Sequence, residues 1–256
     1  MLLSPTLEKL KLLKLAGMVK GLEEQQRVKT YDDLSFEERL GLMVDYEQTH
    51  RENQRLAGRL SRAKLRHQAC IDDINYAHPR GLDRSLIRKL ATCSWIKGHH
   101  NLIITGPTGV GKSYIGCALA HKACLEGYTS VYYRAPRLLS EIETAHADGR
   151  YARVLQAIAK IDLLIIDDWG LSKLNSQEER ELLEVMEDRY EKKSTIFSSQ
   201  VPVKDWHDLI PNKTIADATL DRIVHNSYRI ELDGDSLRDD KNKEKNKVKV
   251  KEKKDE

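Results

Sequence analysis

No stretch of the sequence approaches the ~18 consecutive apolar residues that a membrane-spanning helix needs, and Met1-Leu-Leu-Ser4 carries neither the basic start nor the cleavage site of a secretion signal. These absences point to a cytoplasmic protein with no membrane partner. Cysteine is scarce. Cys70, Cys93, Cys117 and Cys124 form no C-x-x-C pair and no framework spacing, which fits reduced thiols and argues against a disulfide scaffold. Cys117, His121 and Cys124 are spaced as a metal could use them, but they fall on a helix whose buried face must carry small apolar residues. Core packing is therefore preferred to metal binding. A large excess of one charge is also missing: the 43 basic and 40 acidic residues leave a net charge of +3, so the placement of charge matters more than its total. With 32% charged residues and a mean hydropathy of −0.58, much of the chain must be solvated or meet charged partners, while 40% hydrophobic residues suffice for a core.

The most informative stretch is Asn101-Leu-Ile-Ile-Thr-Gly-Pro-Thr-Gly-Val-Gly-Lys-Ser113, an apolar strand running into a glycine loop and then a helix. Gly106, Pro107, Thr108, Gly109, Val110, Gly111, Lys112 and Ser113 fill every position of G-x-x-x-x-G-K-[ST], the phosphate-binding loop. Glycines at 106, 109 and 111 let successive N–H groups turn inward around phosphates. Lys112 would reach the β- and γ-phosphates of ATP, Ser113 would offer its hydroxyl to Mg²⁺, and the following helix would aim its positive end at the nucleotide.

A second anchor is the apolar run Leu163-Leu-Ile-Ile166, which ends in Asp167-Asp168. A buried central strand delivering an aspartate at its carboxyl end places a carboxylate beside the metal held by the phosphate loop. Asp167 is the expected metal carboxylate and Asp168 the expected general base. Gln200, after the strand Ser194-Thr-Ile-Phe-Ser-Ser199, is positioned to reach the γ-phosphate or its attacking water, with Ser198 and Ser199 as competitors for that role.

The rest of the chain supplies the frame. Residues 1–75 read as an all-helical domain: Leu3, Leu7, Leu10 and Leu13 share one face of a short helix behind Ser4-Pro5, with Gly17 and Gly21 beyond it. Ser35-Phe-Glu-Glu38 is a capping box, opening either one helix or two with a break near Gly58, to about residue 70. Pro79 and Gly81 mark the expected boundary with a second domain, residues 76–238, and a helix is predicted from Leu82 to Ile96. From residue 101 strands and helices alternate, as in an α/β parallel sheet covered on both faces. The predicted strands are five, near residues 101, 129, 163, 194 and 228. The helices are predicted after the phosphate loop, at 138–145, at 151–160, from a capping box Ser176-Gln-Glu-Glu179, and at 216–224. Residues 239–256, rich in lysine, read as a disordered tail.

Arg51, Arg55, Arg59, Arg62 and Arg66 fall on one side of the predicted long helix with little acid among them beyond Glu52. A solvated face and a phosphate-backbone contact are equally fair readings of such a stripe.

Taken together, Gly106 to Ser113, Leu163-Leu-Ile-Ile-Asp-Asp-Trp-Gly170, Ser198-Ser-Gln200 and Asp221-Arg222-Ile223 resemble the AAA+ ATPases. Within them the chain is most similar to the IstB-type transposition helpers of the DnaC/IstB branch, through Asp-Asp-Trp-Gly, Gly234-Asp-Ser-Leu-Arg238 and the arginine-rich helical beginning. The resemblance implies an AAA+ P-loop NTPase core that hydrolyses ATP between subunits of a homo-oligomer, with Arg222 as the arginine reaching a neighbour's γ-phosphate. It also implies double-stranded DNA and the transposase of the same mobile element as partners, with Arg134 and Arg137, after the second strand, and Lys173, after Asp168, joining the arginine stripe as candidate DNA contacts. A replicative helicase loader of the DnaC type is the alternative. Two departures stand out. Asp168 occupies a position commonly held by glutamate, and the residues beyond the last strand leave no room for a C-terminal helical lid, so that a second sensor arginine is absent or replaced by Arg238.

Overall fold

The computed structural model describes residues 3–237, and the described chain divides into two compact units between Ser61 and Arg62. The expected boundary near residue 75 therefore falls inside the second unit. The reason is burial: Ala69 and Ile74 sit in the same core cluster as Leu102 and Ile104 of the first sheet strand, so the segment before Pro79 is part of that core. The lysine-rich tail and Arg238 lie outside the described residues.

The first unit is helical. α1 is Leu3–Leu12, α2 is Ala16–Arg27 and α3 begins at Phe36, running to Ala63 as one unbroken helix. The Ser35 box forms as expected: Glu38 N–H donates to Ser35 Oγ at 3.2 Å, and Ser35 N–H donates to Glu38 Oε2 at 2.8 Å. Gly17 and Gly21 do not end a helix but lie inside α2, where they allow close packing on α3. A Cβ on Gly17 would come within 2.4 Å of the Glu47 backbone. Glu47 in turn accepts from Gly17 N–H at 2.7 Å and Met18 N–H at 3.2 Å, so a carboxylate on α3 caps the start of α2.

The second unit is a five-stranded parallel sheet. After α4 (Arg84–Ala91) and α5 (Ser94–Lys97) come β1 (Asn101–Thr105), α6 (Lys112–Leu125), β2 (Ser130–Arg134), α7 (Ala135–Ala147), α8 (Tyr151–Lys160) and β3 (Leu163–Trp169). They are followed by α9 (Ser176–Arg189), β4 (Ser194–Ser199), α10 (Lys213–Val224) and β5 (Ser227–Glu231). The predicted helix over 82–96 is two, because Cys93 takes a left-handed conformation between them. The cap of α9 is Asn175 with Glu178, one residue earlier than the predicted box, which leaves Glu179 to accept from Asn212 N–H at 2.9 Å.

The strand order is β2-β3-β4-β1-β5, every neighbour parallel. β4 thus separates the phosphate-loop strand β1 from the acid-bearing strand β3. Alternate residues feed two cores. Leu102, Ile104, Leu163, Ile165 and Ile196 pack on one face with Ile115 and Leu119 of α6, whereas Ile103, Leu164, Ile166 and Phe197 pack on the other with Leu138, Leu155 and Leu182. Cys117 and Cys124 are fully buried on α6, and no cluster of three or more metal-capable side chains exists among the described residues. Among those residues β5 is the last element, and no helix is long and apolar enough to cross a membrane.

Candidate nucleotide-binding site

The site forms at the carboxyl ends of β1 and β3, where a parallel sheet with crossover helices opens a crevice. Gly109 and Gly111 have φ of 90° and 96°, which L side chains rarely adopt. Gly111 is the cap of α6 and brings no side-chain hydrogen bond to it, so the first N–H groups of that helix keep their donors for an anion. Lys112 Nζ donates to the carbonyls of Gly106 and Pro107, each at 2.7 Å, folding back over the loop it serves.

Simple alternation would send Asp167 and Asp168 to opposite faces of β3. A register irregularity between Ile166 and Trp169, together with φ of 59° at Asp168, brings both carboxylates to one place. Arg66 Nη1 lies 3.5 Å from Asp167 Oδ2 and 3.8 Å from Asp168 Oδ2. Trp169 beyond them is locked edge-on against Phe197 and Trp206, which anchors the irregular turn in the core.

Asp167 is 1% exposed, and Tyr132 O–H donates to its Oδ2 at 2.5 Å. Burial works to raise its pKa. The hydroxyls of Ser198, Tyr132 and Ser113 outweigh that and hold it below the ordinary value. Burial, then the bond to Asp167, push the Tyr132 phenol up. Asp167 Oδ1 is buried without a hydrogen bond of ordinary geometry among the described residues. The Asp167 carboxylate and the Ser113 hydroxyl beside it are a hard oxygen set that fits Mg²⁺.

The cavity of about 540 Å³ over this region is lined by Thr108, Lys112, Ser113, Asp168 and Gln200, and by residues the sequence reading did not place there, including Arg80 and Tyr114. Gln200 Oε1 accepts from Thr108 Oγ1 at 2.7 Å, which ties the end of β4 to the phosphate loop. Ser198 is buried against Asp167, and Ser199 Oγ donates to Trp169 O at 2.7 Å, so of the three Gln200 alone lines the cavity. Arg222 does not line it. It pairs with Glu187 at 2.5 Å and donates to Ala218 O at 2.7 Å.

The arginine stripe is shorter than its spacing suggests. α3 ends at Ala63, Lys64 takes a left-handed φ of 49°, and Arg66 leaves the helix for the acidic pair. Arg51 donates to Glu47 Oε1 at 2.6 Å, an acid one turn earlier that the reading overlooked. Arg55, Arg62, Arg137 and Lys173 are exposed, and Arg59 is half-buried. Arg134, expected on DNA, has its Nε 2.6 Å from Asp168 Oδ2. The Tyr132 hydroxyl, and then the nearby carboxylates, hold Arg66 above its ordinary pKa.

Residues 8–246 match the family described as IstB-like ATP binding protein. The chain belongs to this family. It is 50% identical over 238 residues to an insertion sequence ATP-binding protein of Sinorhizobium fredii, covering 93% of this chain and 97% of that relative. It is 47% identical to the ATP-binding protein of insertion sequence IS1162 from Pseudomonas fluorescens, over 79% of this chain and 88% of the relative. Among solved structures, the DnaC helicase loader covers 66% of this chain and 99% of its own, with a TM-score of 0.56 at 18% identity. AMPPCP-bound DnaA from Aquifex aeolicus covers 67% and 52%, with a TM-score of 0.55 at 18% identity. These likenesses show that the chain shares their α/β fold, and membership of the family shows an ATP-binding protein.

Proposed function

We propose that this protein is an ATPase that assembles on duplex DNA and delivers it to the transposase of the same mobile element. The observation that carries the reading is a cavity lined by the phosphate loop and Asp168, with the buried Asp167 sharing Arg66 with Asp168, in a chain whose relatives are named for insertion sequences. Lys112 exchanges the carbonyls of Gly106 and Pro107 for the β- and γ-phosphates. Mg²⁺ held by Ser113 and Asp167 would neutralise charge on those phosphates. Asp168 accepts the proton of the attacking water, and Gln200 orients that water. Arg222 of a neighbouring subunit leaves its pairing with Glu187 to stabilise the transferring phosphoryl group across the oligomer interface.

DNA binding is assigned to basic side chains that meet phosphates rather than bases, which suits a protein acting at many sequences. Arg51, Arg55, Arg59, Arg62, Arg137 and Lys173 are the candidates. Arg66 and Arg134 would have to leave the acidic pair to join them. Many subunits sharing such contacts would offset the several kcal/mol needed to bend a duplex.

The test is a light-scattering and electrophoretic titration of duplex and single-stranded DNA with ATP, ADP or no nucleotide, using the wild type and Lys112→Ala. ATP-dependent assembly on duplex of arbitrary sequence, lost in Lys112→Ala, is the expected result. Preference for single strands, or assembly indifferent to ATP, would move the protein to the helicase-loader class.

A further inference from the structure

The three glycines of the phosphate loop are each covered by one of two neighbouring segments. A Cβ on Gly106 would lie 2.3 Å from Leu232 O, one on Gly109 2.2 Å from Ser236 Oγ, and one on Gly111 2.4 Å from Arg80 Nη1. Backbone bonds follow the same path. Leu232 N–H donates to Thr105 O at 2.8 Å and Leu237 N–H to Gly109 O at 3.1 Å.

The segment before the sheet closes the other side. Arg80 is 2% exposed, and its guanidinium donates to Val110 O at 2.6 Å and to Asn75 O at 2.9 Å. Its own carbonyl accepts from Asp233 N–H at 3.1 Å. Gly234, at φ of 91°, turns so tightly over this segment that a Cβ there would lie 2.6 Å from Pro79 O. Asp235 O accepts from His78 Nε2 at 3.2 Å. The loop, Arg80 and the turn after β5 therefore form one hydrogen-bonded knot, although they are far apart in sequence.

We infer that Arg80 and the turn Leu232–Leu237 are a clasp that positions the phosphate loop for the nucleotide. The inference rests on the ATP-binding reading of the cavity. A loop with three glycines in six positions has more conformations to lose on binding than one built of side-chain-bearing residues. Bonding its Gly109 and Val110 carbonyls outward, while crowding each glycine from behind, leaves its N–H groups aimed inward before the ligand arrives. That prior ordering lowers the entropic penalty of binding. Arg80 acts through the loop and is a positioning residue. A buried guanidinium with fixed carbonyl acceptors suits this role, since lysine cannot reproduce its fork.

The test compares wild type, Arg80→Ala, Arg80→Lys and Gly234→Ala by titration with a fluorescent ATP analogue at low temperature. Circular dichroism confirms folding, and melting temperatures are measured without nucleotide. The dissociation constant should rise about tenfold or more in Arg80→Ala and Gly234→Ala, with Arg80→Lys between them and wild type. Lower melting temperatures with unchanged affinity would show a merely structural role and overturn the clasp. If Arg80→Ala does not fold, Arg80→Lys and Gly234→Ala decide the matter in the same way. Failure of the wild type itself to bind the analogue would overturn the ATP reading instead.

Discussion

Arg134 Nε lies 2.6 Å from Asp168 Oδ2, so a side chain expected on DNA holds the proposed general base. The Arg134 side chain is half exposed, at 53%, and solvent screens the pair, so its contribution is small, about 0.2–1 kcal/mol. Its effect should be seen in turnover rather than in stability. The bond occupies a carboxylate lone pair that must accept a proton from water. Arg134→Ala should raise basal ATP turnover roughly two- to fivefold and shift the melting temperature little. Steady-state phosphate release measures it, and a fall in turnover would show that Arg134 assists Asp168 instead.

Asp167 supplies a pH dependence whose sign is fixed. Its folded-state pKa is below the ordinary 3.8, so as pH falls the unfolded chain takes up the proton first. Its stabilising contribution is therefore present above the unfolded value and disappears as pH drops through the folded one. Urea unfolding of wild type and Asp167→Asn at neutral pH and below pH ~4 tests this, with the difference expected to shrink in acid. A difference that is constant with pH would contradict the assignment.

Arg189 joins α9, α8 and β4 from within the core. It is 1% exposed and donates to Ile158 O at 2.7 Å, Ile161 O at 2.8 Å, Ser194 O at 2.5 Å and Thr195 Oγ1 at 3.1 Å. Burial pulls its pKa down to about 9, and it stays charged at neutral pH. Arg189→Ala removes four hydrogen bonds made by a buried side chain and should destabilise by about 3–5 kcal/mol, read from the urea midpoint. A loss under ~1 kcal/mol would mean that water replaces the guanidinium.

Exposed Arg55 and Arg62 carry a prediction about salt. If they meet phosphates, each substitution by alanine should reduce the slope of log affinity against log salt by roughly 1 and weaken all duplex sequences alike. An unchanged slope would return them to the solvated face of a helix.

The phosphate loop, the acidic strand and the order of elements were legible because each depends on contiguous residues. Gly106 to Ser113 is a local motif, and Leu163 to Ile166 is apolar on both faces because its strand is buried on both. The capping box at Ser35 is likewise satisfied within four residues. The close packing of Gly17 and Gly21 on α3 was not legible, because it depends on a partner helix that no local pattern names.

What the tertiary structure alone decided is the pairing of distant charges. Arg66 and Arg134 have the same composition and local spacing whether they face DNA or Asp167 and Asp168. Only the end of α3 at Ala63 and the irregular turn at Asp168 aim them at the acids. Arg80, next to an expected domain boundary, gave no sign of reaching Val110 in the phosphate loop. The sequence by itself determined which strands and loops exist and which nucleotide chemistry they can hold, because backbone propensity and motif chemistry act over a few residues. Which arginines stand beside that chemistry was decided by folding, because electrostatic partners are chosen by proximity in space.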